Sequence, residues 1–128
     1  MSDARKTIKP VSWVGSSQKD FRAFPDSVQD EMGYALYQAQ IGGKNTNAKP
    51  LHGFGGAAVL EIVASKMGDT FRAIYTVKFA TSIYVLHAFQ KKSKSGIKTP
   101  TEDMKLIEQR LKVAEADYRL QPRKGKTS

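Results

Sequence analysis

Residues 71–100 read FRAIYTVKFATSIYVLHAFQKKSKSGIKTP. Phe71 to Lys78 and Ile83 to Phe89 are rich in β-branched and aromatic side chains, which suit a pleated, half-buried surface. Ala80-Thr81-Ser82 between them is small and polar enough to turn the chain, so the pair predicts a hairpin. Lys91, Lys92, Lys94 and Lys98 follow, with no acid among them. Thr99-Pro100-Thr101-Glu102 then predicts a helix start. Thr99 is placed to cap it, Pro100 fits the first helical position, and Glu102 completes a capping box. Arg72 sits within the first strand and His87 near the end of the second. Singly, each has an ordinary reading: a structural histidine, a salt-bridged arginine, a solvated lysine loop. Together they make a sheet edge suited to a polyanion.

Upstream, Ala58 to Ala64 predicts a further strand, and Lys66 to Asp69 a turn leading into Phe71. The result is a meander of three antiparallel strands. Gly42 to Gly56 reads as a loop. It is not a phosphate loop, because Gly43-Lys44-Asn45 lacks the Ser or Thr after the lysine and the spaced upstream glycine. Val28, Met32, Ala35, Leu36 and Ala39 recur at three–four spacing, which predicts a helix capped by Asp26 or Ser27 and ending near Gly42. Pro25 separates it from a shorter helix, capped by Ser16 or Ser17 and running to Phe24. Pro10 to Val14, with Trp13, predicts the first strand. Met104, Ile107, Leu111, Ala114 and Tyr118 share a face of the last helix. The expected fold is α+β in the order β-α-α-β-β-β-α. It has an antiparallel sheet, an N-terminal helix hairpin and a C-terminal helix.

The 128 residues suffice for one domain with one modest core. The expected division is a flexible tail at 1–8, a domain at 9–118 and a basic tail at 119–128. With no cysteine, disulfide and thiolate chemistry are excluded. His52 and His87 have no partner at metal-ligand spacing, so neither a metal nor a cofactor is implied. No apolar run reaches membrane-helix length, and Met1 to Lys9 lacks the apolar centre of a signal peptide. A cytoplasmic location, away from any membrane, is the expectation. The net charge is +9, and residues 90–128 carry 11 basic against 5 acidic residues. Phosphate is the economical partner for that excess.

Three segments carry a resemblance: Phe71-Arg72-Ala73-Ile74-Tyr75, Val85 to Lys92, and Lys98-Thr99-Pro100. Upstream it extends through residues 9–17, Gly33 to Leu36, Lys49-Pro50-Leu51 and Gly53 to Gly56. In these segments the chain resembles phage-derived HigB-type toxins of the RelE/ParE superfamily, the toxins of type II toxin–antitoxin systems. The resemblance implies the same element order and a metal-independent endoribonuclease that cleaves mRNA, often on the ribosome. The RNA 2′-hydroxyl attacks the adjacent phosphate, and the protein orients that attack, stabilises charge and moves protons.

Carried over residue by residue, Arg72 is the phosphate-binding strand arginine, and a planar fork of donors engages two oxygens at once. His87 is the candidate acid or base. Lys91 and Lys92 add charge at the catalytic centre, while Lys78, Lys94 and Lys98 suit RNA backbone contacts. Alternation puts His87, Phe89 and Lys91 on one face, and Arg72, Thr76 and Lys78 on one face. Whether the two faces coincide depends on register. Some RelE-type nucleases carry basic residues on the preceding strand, where this chain has Glu61 and Val63. Two other classes therefore stay open: a ParE-like poison of DNA gyrase and a non-catalytic basic nucleic-acid-binding module. The resemblance also implies a cognate helix-turn-helix antitoxin, through which operator DNA is met only indirectly.

Overall fold

The computed structural model describes residues 8–56, 58–91 and 99–121. The elements are β1 (Val11–Trp13), α1 (Ser17–Arg22), α2 (Asp26–Gln40), β2 (Ala48–Pro50), β3 (Val59–Lys66), β4 (Asp69–Thr76), β5 (Ile83–Lys91) and α3 (Thr101–Leu120). The strands form one sheet in the order β1-β5-β4-β3-β2. The expected meander is β3-β4-β5, antiparallel throughout.

Two features of the sheet differ from expectation. β1 pairs in parallel with β5, so the sheet is mixed rather than antiparallel. The long connection between them, two helices and a meander, permits a parallel neighbour that no hairpin can supply. The second difference is β2, which lies inside the stretch expected to be loop and pairs Lys49 opposite Glu61. Three residues ending in proline carry no alternation signal. Proline is tolerated there because β2 is an edge strand.

The helix starts differ as well. Pro25 and Pro100 occupy the cap positions of α2 and α3, and neither helix has a side-chain cap bond. The capping box expected at Thr99 does not form; the Thr99 hydroxyl turns towards Glu61 Oε2 at 3.5 Å. Ser16 makes no cap bond either and donates to Asp20 Oδ2 at 2.8 Å.

The two faces of the sheet are covered unequally. α1 and α2 pack on one through Phe21, Phe24, Val28, Met32 and Leu36, against Ile62, Ala73, Tyr75 and Val85. The five α2 residues expected from their spacing are the buried ones. α3 lies on the other face and buries only Ile107 and Ala114 fully. Polar contacts hold its C-terminal half. Tyr84 donates to Asp117 Oδ2 at 2.6 Å, and the Tyr118 and Thr81 hydroxyls are 3.0 Å apart. Burial, with the Asp117 carboxylate beside it, pushes the Tyr84 phenol far above its ordinary range. Among the described residues no helix is long and apolar enough to cross a membrane.

One irregularity positions the site. Ile74 pairs with His87 and Tyr75 with Val85, which leaves Leu86 as an extra residue in β5. Such a bulge puts two successive side chains on one side of a strand. Tyr84 and Leu86 belong to the α3-side core while Val85 and Ala88 belong to the other. His87 follows Leu86 onto the α3 side, where it meets Asp103.

Candidate functional site

Register answers the question of the two faces. Arg72 lies opposite Phe89, Ile74 opposite His87, and Thr70 opposite Lys91. Glu61 lies opposite Ile74, and Val63 opposite Arg72. Directly opposed residues share a face. Arg72, His87 and Lys91 therefore stand on the α3 side of the sheet, with Glu61 and Lys49 beside them. Arg72, His87 and Lys91 are all buried.

Each of the two leading candidates is held by a carboxylate. Arg72 forms an ion pair with Glu61 through Nη1 and Oε2. His87 Nε2 lies 2.7 Å from Asp103 Oδ1, near the start of α3. The carboxylate accepts, so the imidazole proton sits on Nε2. His87 Nδ1 is buried and has no hydrogen bond among the described residues. The ring stacks on Phe89 at 4.7 Å between centroids, with an interplanar angle of 21°.

Two adjoining hollows open beside these pairs. One, of about 540 Å³, is lined by Pro50, Leu51, His52, Gly53, Glu61, Thr99 and Met104. The other, of about 530 Å³, is lined by Asn47, Lys49, Pro50, His52, Glu61, Val63 and Arg72. Glu61 and His52 border both. Arg72 borders the second, while His87 and Lys91 border neither. Among the described residues no group of three or more His, Cys, Asp or Glu is placed to hold a metal ion.

Of the residues expected at the site, Arg72, His87 and Lys91 come together. Lys78 does not. It lies two residues beyond the far end of β4, ion-paired with Glu115 and 5.8 Å from the Phe79 ring centre. Its face assignment fails because the strand stops at Thr76 and the chain leaves the sheet. Lys92, Lys94 and Lys98 lie outside the described residues. Reasoning from sequence missed His52, Lys49 and Asp103. His52 and Lys49 belong to an unsignalled edge strand and its following turn. Asp103 reads as an ordinary acid in the first turn of a helix.

Residues 19–112 match the model of the family described as "Phage derived protein Gp49-like (DUF891)". The chain belongs to this Gp49-like family. The matched span takes in Glu61, Arg72, His87, Lys91 and Asp103. The Gp49-like chain also resembles a mutant of the E. coli toxin RelE in the free state. The TM-score is 0.53 at 12% identity, covering 83% of this chain and 97% of that one. The fold is thus similar to that of the RelE toxin. The RelBE2 toxin–antitoxin complex from Mycobacterium tuberculosis matches at a TM-score of 0.38 and 15% identity, over 71% of this chain and 100% of that one. No curated protein matches the sequence.

Proposed function

We propose that this Gp49-like protein is the toxin of a HigB-type toxin–antitoxin pair and cleaves mRNA as a metal-independent endoribonuclease in the cytoplasm. The observation that carries the reading is the register: it gathers Arg72, Lys91 and His87 on one sheet face, beside a cleft bordered by Arg72, Lys49 and His52. Arg72 exchanges the Glu61 carboxylate for oxygens of the scissile phosphate and stabilises charge as the 2′-oxygen attacks. Glu61, released beside it, accepts the 2′-hydroxyl proton. The 5′-oxygen leaves and takes a proton from a histidine. His52 borders both hollows and donates from its imidazolium form, whereas His87 borders neither and is engaged with Asp103. Lys91, with Lys92, Lys94 and Lys98 after it in the sequence, adds positive charge for the RNA. The basic surface suits a helix-turn-helix antitoxin with an acidic docking segment. Operator DNA is then bound through that antitoxin.

A second reading has its own support. Arg72 and His87 each already hold an acid, as expected if the site is structural and the protein is a gyrase poison or a non-catalytic basic module. Cleavage assays with purified protein and translating ribosomes separate the readings. Under the nuclease reading, Arg72→Ala loses about 10²–10³ in rate while remaining folded. His52→Gln and His87→Gln then show which imidazole moves the proton, at a cost of about 10²–10⁴. A parent protein that leaves transcripts intact and induces DNA damage on expression is a gyrase poison instead.

A further inference from the structure

We infer that Arg110 is a positioning residue for the site: it locks the Leu86 bulge, and the bulge decides which face of the sheet carries His87 and Lys91. Without the extra residue, alternation from Tyr84 would turn His87, Phe89 and Lys91 towards α1 and α2, away from Arg72. The bulge takes Leu86 out of the ladder with β4, and β1 has already ended opposite Val85. The exposed backbone groups there need other partners. Val85 O accepts from Val14 N at 3.0 Å and from Ser17 Oγ at 3.1 Å. Leu86 O accepts from Arg110 Nη1 at 2.9 Å.

The guanidinium is itself fixed from outside. Nη2 donates to Ser16 Oγ at 3.2 Å, and Ser16 donates onward to Asp20. Gly15, at φ 58°, opens the slot in which the guanidinium lies. A Cβ there would come within 2.8 Å of Arg110 Nε. Arg110 makes no ion pair among the described residues, so both of its bonds are spent on positioning. Asp103, two turns earlier on the same helix, reaches His87 from the other side of the bulge. One helix thus fixes both the backbone before His87 and its imidazole. Only the rate arm of the test below rests on the nuclease reading.

The test uses the full chain. Arg110→Met keeps the aliphatic stem and removes both hydrogen bonds, and Arg110→Lys keeps a single donor group. Two quantities are read: the NMR signal of the His87 Nε2 proton in folded protein, and single-turnover RNA cleavage alongside RNA affinity. Arg110→Met is expected to keep its circular dichroism, to lose the protected Nε2 proton signal, and to cleave roughly 10–100-fold more slowly. RNA affinity should change far less, and Arg110→Lys should recover part of both losses. An unchanged imidazole signal in folded Arg110→Met overturns the proposal, whatever its stability. If that variant does not fold, Gly15→Ala gives the same test, because the added methyl displaces the guanidinium; an unchanged signal there overturns the proposal equally. A parent that cleaves no RNA removes the nuclease reading, and the imidazole signal still decides the role of Arg110.

Discussion

Glu61 is the residue on which the two readings of the site divide. Its carboxylate neutralises Arg72 at the mouth of a cleft expected to receive phosphate. Glu61→Gln keeps the shape and removes the charge. We expect it to cost about 1–3 kcal/mol of stability in urea denaturation, because a buried guanidinium loses its counter-charge. RNA affinity should rise at low salt, since a negative charge leaves the cleft. If Glu61 is the proton acceptor, cleavage falls by about 10²–10⁴ despite the tighter binding. A variant that binds more tightly and cleaves as fast as the parent would reduce Glu61 to a counter-charge. Arg72 could be singled out as a candidate from its sequence context. Its ion pair could not, because Glu61 lies eleven residues away across a register the sequence does not print.

Among the elements, the β3–β4 hairpin and α3 invite the clearest tests. The hairpin turns on Met67 and Gly68, at φ 52° and 88°, and Met67 is 91% exposed. Two positive φ values in a two-residue loop favour Asn-Gly. Met67→Asn is expected to stabilise the fold by about 0.5–1 kcal/mol, measured as a higher urea midpoint with unchanged m-value. α3 is anchored chiefly by Ile107, with Ala114 beneath its C-terminal half. Ile107→Ala should cost about 2–4 kcal/mol. It should also weaken the His87–Asp103 contact, since that contact spans the same helix and sheet. Hydrogen exchange in α3 rising well above that in β4 would show the helix loosening before the sheet. The apolar faces of α2 and α3 were readable at three–four spacing. β2 was not, because Ala48-Lys49-Pro50 is too short to show alternation and pairs at the sheet edge through its backbone.

At the scale of the molecule, the charge of +9 is the main property, and much of it follows β5. RNA affinity should fall steeply with salt through counterion release. Replacing Lys91, Lys92 and Lys94 together with alanine should flatten the slope of log affinity against log salt by roughly 2. Fluorescence anisotropy across a salt series reads this directly. An unchanged slope would assign the lysines to another surface, such as antitoxin docking.

The sequence by itself determined the element types of the meander, the helix hairpin and the last helix, because apolar periodicity is a local property of the chain. It also determined that Arg72, His87 and a lysine run lie within one hairpin and its continuation. Tertiary structure decided what these residues face. β1 joined β5 in parallel, Glu61 closed on Arg72, and Lys78 left the sheet for α3. The bulge at Leu86 turned His87 and Lys91 to the side of Arg72. That turn has no local signal, since a bulge depends on who accepts and who donates at its freed carbonyl. Here the donor is Arg110, twenty-four residues away, and only packing α3 onto the sheet brings it there.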